Sequence, residues 1–342
     1  MLYFFSEENY RGNHAGTKAR NDVETIFRET GAKPINTRVL ELRSKEDEAI
    51  KANINNRLGF IRYYFDLLFI KQRTIVIQYP MLSFDIEYNY VKALSRHNRV
   101  IFLVHDIQSL RRENEAGLEK ELRMLNMAYG LIVHNRFMEK KLRSIGVTVK
   151  KIYKLNCFDY LYADNVEGSI TENAIVFAGN LEKSMFLSEL CLYNPDISFK
   201  LYGPGMNDQL QKNRNLSYCG NFLPDEIPGK LKGKYGLVWD GNTVLGCSGP
   251  VGEYTKINNP HKMSLYISSG IPIIAWSQAA IAEFINQYQI GIIVDRIDSL
   301  SKELSTISEE QYLSMKKNVL ELRKKLIHGE FLKRVLKEIE RN

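Results

Sequence analysis

Residues 235–276 read YGLVWDGN, TVLGCSGPVGEYTKINNP, HKMSLYISSG and IPIIAW in succession. The first and last pieces are short apolar runs of strand type. The third begins after Asn258-Asn259-Pro260 and carries Met263, Tyr266 and Ile267 at helical spacing. The order is strand, loop, helix, strand. In a parallel sheet such a loop lies at the carboxyl ends of strands, where open α/β folds bind ligands. The loop carries Asp240, Asn242, Ser248, Glu253, Tyr254 and Lys256, and the helix start carries His261 and Lys262. Polar groups thus converge where backbone N–H groups favour an anion, which points to a phosphate-bearing ligand.

The rest of the chain extends the same pattern. A strand at Leu2–Phe5 leads through Gly12 and Gly16 to a helix with Ala19, Val23, Ile26 and Phe27 at apolar spacing. The glycines do not form GxGxxG, so a dinucleotide fingerprint is absent; a ligand-approaching loop and a plain flexible loop both fit. Strands are expected at Thr37–Leu42, Thr74–Tyr79, Val100–Val104 and Gly130–His134, with helices near 46–71, 88–96, 118–129 and 136–145 between and after them. The pattern weakens over 156–169, where Tyr160, Asp164 and Gly168 suggest a linker. It resumes at Ala174–Phe177, Phe199–Tyr202, Leu216–Cys219, Gly236–Trp239, Ile271–Trp276 and Gly291–Val294. Such alternation indicates parallel sheets covered on both faces. The expectation is an α/β chain of two Rossmann-like domains, 1–158 and 159–308, facing each other across a cleft. Helices over 309–342 would pack back on the first.

At 342 residues the chain exceeds the usual size of one hydrophobic core. No run approaches the roughly 20 apolar residues of a membrane span, and Leu2–Phe5 is too short for a signal peptide, so a cytoplasmic protein is expected. Lys and Arg outnumber Asp and Glu by 47 to 40, a net charge of +7. That excess suits an anionic small molecule, a membrane face or nucleic acid without choosing among them. Cys157, Cys191, Cys219 and Cys247 form no CxxC pair, so neither zinc nor a redox motif is indicated, and free thiols fit a reducing compartment.

Three further strand ends carry candidate chemistry. FAGNLEKS, residues 177–184, sets Gly179 and Asn180 directly after a strand and Lys183 in the next turn, suited to a diphosphate. The plain alternative is a capped turn with an exposed lysine. LYGPG, residues 201–205, is a neighbouring strand end that should point to the same edge. His105-Asp106 follows the most apolar strand of the first half, where either side chain could take a proton from a hydroxyl nucleophile. Against that, Asp106 could cap the next helix and His105 could satisfy a buried neighbour. His134-Asn135 repeats the arrangement one strand later. No Asp-x-Asp pair closes a buried strand to hold a metal ion, and no Walker loop is present, which disfavours an ATPase.

These segments, YFFSEENYRGNHAGTKARND, FLVHDIQSLR, FAGNLEKS and above all 236–276, resemble bacterial β-1,6-galactofuranosyltransferases of O-antigen and capsule clusters. More distantly they resemble streptococcal glucosyltransferases acting on serine-rich adhesins. The resemblance spans nearly the whole chain and implies the GT-B architecture, with donor mainly on the second domain, acceptor mainly on the first and no obligatory metal or cofactor. It assigns Lys183 and Lys262 to the donor diphosphate, and Gly16 and Thr17 to a first-domain loop approaching it. It makes Asn180, Tyr202, Asn242 and Tyr254 candidates for uridine or sugar contacts, beside Gly179 and Asp240, which the strand-end pattern puts at the same donor site. By analogy with other inverting GT-B enzymes, Asp106 beside His105 is the base. The adhesin enzymes carry arginine where Lys183 stands, so bidentate phosphate binding does not carry over.

The resulting expectation is an inverting transferase moving galactofuranose from UDP-galactofuranose to a hydroxyl of a lipid-linked glycan at the inner face of the plasma membrane. Basic residues, including Lys45, Lys51, Arg57, Arg62, Lys71 and Arg73, would aid approach to anionic lipid, although a solvated helix face explains them equally. The expectation leaves room for a homo-oligomer and includes no nucleic-acid partner. The rivals are a UDP-glucose-dependent enzyme of the same fold, a catalytically silent partner protein and, third, a nucleic-acid binder without a nucleic-acid motif.

Overall fold

The computed structural model describes residues 1–6, 15–36, 69–80, 84–163 and 172–341. The chain divides into two compact units. The first comprises Met1–Ser109, Asn114–Leu155 and Leu332–Asn342; the second comprises Leu110–Glu113 and Asn156–Phe331.

The sheet of the first unit contains β1 (Leu2–Ser6), β2 (Lys33–Asn36), β3 (Thr74–Tyr79), β4 (Arg99–Val104), β5 (Gly130–Val133) and β6 (Lys151–Lys154), in the order β2-β1-β3-β4-β5-β6. All its pairings are parallel. Its central strands TIVIQY and RVIFLV are buried along nearly their whole length, as strands covered on both faces must be. The helix Ala15–Glu29 lays Ala19, Val23, Ile26 and Phe27 on the sheet, with the Phe27 ring centroid 5.0 Å from that of Phe4. A strand is present at Lys33–Asn36; the strand expected at Thr37–Leu42 lies outside the described residues, as does the helix expected over 46–71 except for its last residues.

In the second unit, β7 (Ile175–Ala178), β8 (Phe199–Tyr202), β9 (Leu216–Gly220), β10 (Tyr235–Val238), β11 (Ile273–Trp276) and β12 (Gly291–Val294) form a parallel sheet in the order β12-β11-β10-β7-β8-β9. The chain winds outward from β7 to β9, then returns to β10 on the other side of β7. The gap between the carboxyl ends of β7 and β10 is therefore the topological switch point, where open sheets leave a crevice. The corresponding point of the first sheet lies between β1 and β3.

Two readings at the domain borders need correction. Tyr160 is no exposed linker residue: it is 4% exposed, and its hydroxyl donates to Pro224 O at 2.5 Å. The helix Glu309–Leu326 belongs to the second unit, where Arg323 Nε donates to Ser268 O at 2.7 Å. Only the last helix, Glu330–Arg341, extends into the first unit, where Lys333 pairs with Glu29 at 2.7 Å.

Candidate active site

The crevice of the second sheet is built around the helix His261–Ser268. The β7–β10 ladder pairs Tyr235 with Ile175 and Gly236 with Val176. Beyond those pairs the Tyr266 hydroxyl accepts from Ala178 N at 2.9 Å and donates to Leu237 O at 3.1 Å. A phenol thus replaces the missing ladder bonds of two diverging strands, which could not otherwise leave these groups buried. Gly236 is required beneath it, since a β-carbon there would stand 2.4 Å from the Tyr266 ring.

One turn earlier on the same helix, Lys262 projects toward the strand ends. Its ammonium meets Asp240 Oδ1 at 2.7 Å and lies 4.9 Å from the centroid of the Phe177 ring. A β-carbon on Gly179 would approach Lys262 Cε to 3.0 Å, so the glycine after β7 makes room for the lysine stem. Both charged side chains are about one-fifth to one-quarter exposed, which makes this a partly desolvated cation at a helix N-terminus. Its neighbour His261 is held neutral: burial lowers its imidazole to about 4, and its ring lies 4.5 Å from that of Phe158.

The two turns read as sharing an edge do so. Gly179 N donates to Tyr202 O at 2.9 Å and Leu181 N to Pro204 O at 2.8 Å. Gly203, at φ +129°, would place a β-carbon 2.0 Å from Gly179 O, so only glycine allows the turns to touch. Other predicted residues have structural duties. Asn180 Oδ1 accepts from Lys183 N at 3.0 Å, capping the turn, and leaves Lys183 exposed. Tyr202 is buried with its hydroxyl accepting from Lys232 N at 3.2 Å, and Tyr254 is buried as well. Asn242 is exposed in the loop after β10.

In the first unit Gly16 and Thr17 are not in a loop. The helix begins at Ala15, so both occupy its first turn, Gly16 exposed and Thr17 buried. His105 and Asp106 do emerge at the carboxyl end of β4, each partly exposed. His105 N donates to Tyr79 O at 2.7 Å, and its Nε2 lies 2.7 Å from Gln78 Oε1. Gln78 Nε2 in turn donates to Arg20 O at 3.3 Å. His134 is a buried structural residue whose Nε2 bonds Val104 O at 3.0 Å, and Asn135 caps the helix Arg136–Ser144. The amides of Gln108 and Ser109, which open the helix after Asp106, are taken by Glu121.

Gln78, Glu121, Tyr266 and Gly236 had no signal of their own in the sequence. Each sits in an apolar or helical run whose period describes burial and not bonding. Lys45, Lys51, Arg57 and Arg62 lie outside the described residues; Lys71 and Arg73 are exposed. Among the described residues no group of three or more His, Cys, Asp or Glu side chains is placed to hold a metal ion, and no helix is long and apolar enough to cross a membrane.

Residues 3–157 match the family described as glucosyltransferase 3-like, N-terminal domain, and residues 175–339 match its C-terminal domain. The chain is 28% identical to the beta-1,6-galactofuranosyltransferase WbbI of Escherichia coli strain K12, covering 99% of this chain and 98% of that protein. It is 25% identical to glucosyltransferase 3 of Streptococcus gordonii, covering 95% and 94% respectively. Among solved structures, an alpha,alpha-trehalose-phosphate synthase (UDP-forming) from Burkholderia vietnamiensis superposes with a TM-score of 0.61 at 10% identity, over 100% of this chain and 98% of that one. With both halves matched and the fold shared, the chain belongs to the glucosyltransferase 3-like family of GT-B glycosyltransferases.

Proposed function

We propose that this glycosyltransferase moves galactofuranose from UDP-galactofuranose to a hydroxyl of a lipid-linked surface glycan, with inversion at the anomeric carbon. The observation that carries the donor half of this reading is the Lys262–Asp240 pair in the crevice between β7 and β10. A partly desolvated ammonium at a helix start suits the charge that develops on a departing nucleoside diphosphate. Gly179 lets the chain approach such a ligand closely, and exposed Lys183 supplies a second cation in the turn after β7.

In the first unit, Asp106 is the proposed base. It removes the proton from the acceptor hydroxyl as that oxygen attacks the anomeric carbon, while the carbon–oxygen bond to the diphosphate breaks and UDP leaves. Charge on the leaving group is assigned to Lys262 and the helix N-terminus, with no step given to a metal. The choice of galactofuranose is favoured by the likeness to WbbI over nearly the full length of both chains. The second reading, glucose from UDP-glucose, is favoured by the family description and by the Streptococcus gordonii relative. Sugar selection rests on a few hydroxyl contacts, so the two readings share one phosphate site.

A panel of UDP-galactofuranose, UDP-glucose and UDP-galactopyranose separates them. UDP release would be measured with a galactose- or glucose-terminated acceptor, with and without EDTA. Release from UDP-galactofuranose alone, unchanged by chelator, is the expected result. Preference for UDP-glucose would replace the sugar and keep the phosphate site. Failure to bind any UDP-sugar would sink the assignment and favour a silent partner protein.

A further inference from the structure

The β4 terminus is held by a residue that belongs to neither strand nor turn. Glu121, 5% exposed on the helix Glu115–Leu125, turns its carboxylate toward the segment 105–109. Oε1 accepts from the Tyr79 hydroxyl at 2.9 Å and from Gln108 N at 3.1 Å. Oε2 accepts from Ser109 N at 2.8 Å and also from the Ser109 hydroxyl. The opposite end of the segment is fixed by His105, through its amide to Tyr79 O and its ring to Gln78. Asp106 therefore stands between two anchors, both of which lead back to the end of β3.

A buried carboxylate is costly unless its bonds are made, and this one accepts four, which favours the observed arrangement of Gln108 and Ser109. The alternatives for such a glutamate are a catalytic acid and a simple helix cap. Its oxygens are engaged by protein donors, which disfavours the first. A cap needs only the Gln108 and Ser109 amides, whereas Glu121 also takes the hydroxyl of Tyr79, the residue whose carbonyl holds His105. The bonds tie the β3 end to the β4 end and to Gln108 and Ser109.

We infer that Glu121 is a positioning residue that fixes Asp106 for proton abstraction, an inference that rests on the proposed role of Asp106 as base. Misplacing a reacting group by about 1 Å can cost on the order of 10²-fold in rate. Glu121→Gln keeps the size of the side chain but turns one acceptor into a donor facing donors.

Two measurements on the full-length protein test this. The first needs no substrate: amide hydrogen exchange over 105–112 is compared in wild type and Glu121→Gln at equal global stability. Faster exchange confined to that segment is expected; unchanged exchange overturns the inference. The second follows turnover and UDP affinity, with the UDP-sugar that the donor panel selects, in Glu121→Gln, Asp106→Asn and the double variant. Expected is a loss of kcat on the order of 10²-fold in Glu121→Gln with unchanged UDP affinity, and no added loss on the Asp106→Asn background. Normal kcat in Glu121→Gln, or losses that multiply in the double variant, would overturn it. Wild-type turnover in Asp106→Asn would instead remove the base assignment, and the inference with it, by a separate observation.

Discussion

The ring of Tyr266 occupies the space that a β-carbon on Gly236 would need, 2.4 Å away, and its hydroxyl joins β7 to β10 where their ladder ends. The same helix face carries Lys262 one turn earlier, so the contact that opens the crevice also sets the height of its cation. A glycine in β10 admits a tyrosine, and the tyrosine seats the helix whose first turn carries Lys262.

Gly236→Ala is accordingly expected to be strongly destabilising, because the added methyl meets a fully buried ring and not a flexible side-chain end. Overpacking of this kind costs about 1–3 kcal/mol or more. Tyr266→Phe keeps the ring but strips the partners from Ala178 N and Leu237 O, at a cost of about 1–3 kcal/mol for each group left unpaired. Urea unfolding midpoints would check both. A Tyr266→Phe variant as stable as wild type would show that the hydroxyl does not replace the ladder.

Gly203→Ala tests the contact between the two turns. The position has φ +129°, and a β-carbon would stand 2.0 Å from Gly179 O, so the turn after β7 must move. A fall in UDP affinity together with a lower melting temperature is expected, both measured on purified protein. Full UDP affinity in a folded variant would detach the Gly179 turn from the ligand.

How far the sequence reveals these features depends on the kind of signal each leaves. The doubly wound architecture was legible because strands buried on both faces must be apolar throughout, as in TIVIQY and RVIFLV, and the helices between them keep their own period. The His105-Asp106 and Gly179-Asn180 strand ends followed from the same pattern. Lys262 was legible as a cation at a helix start, but its pairing with Asp240 depends on how β7 and β10 diverge. Tyr202 and Tyr254 are candidate nucleotide-sugar contacts through the family resemblance alone, and both are buried. Glu121 was silent, since an acidic residue in a charged helix reads as surface until its bonds across the sheet end are known. The first turn of the helix Ala15–Glu29 reads as loop in the sequence because Gly16 is a poor helix former, a preference that position in the fold overrides.

His261 gives the fold a pH dependence of known sign. Burial lowers its imidazole to about 4, against about 6.5 in an unfolded chain. Between those values the unfolded chain holds the proton and the folded one does not. The contribution is therefore complete above pH 6.5 and is lost as pH falls toward 4. Urea unfolding of wild type and His261→Phe at pH 7 and pH 4.5 should show a smaller acid loss in the variant, whose ring can still pack against Phe158. Equal losses in the two proteins would mean that His261 is protonated without penalty.

Lys262 and Asp240 separate charge from packing, because the reading of the crevice as a diphosphate site requires opposite effects from their neutral replacements. Lys262→Met keeps most of the stem over Phe177 and removes the ammonium. Loss of a charge-assisted bond of about 1.5–3 kcal/mol should weaken UDP binding by roughly tenfold to a hundredfold. Asp240→Asn retains a side-chain acceptor for the lysine and removes a negative charge that would repel the diphosphate. UDP alone should then bind a few-fold tighter. Titration calorimetry with UDP, at low and moderate salt, reads both changes. Because the pair is partly buried, the difference should persist as salt is raised. Weaker binding in both variants would mean that the crevice depends on the ion pair as a structural unit. Unchanged binding in Lys262→Met would remove the diphosphate from this crevice altogether.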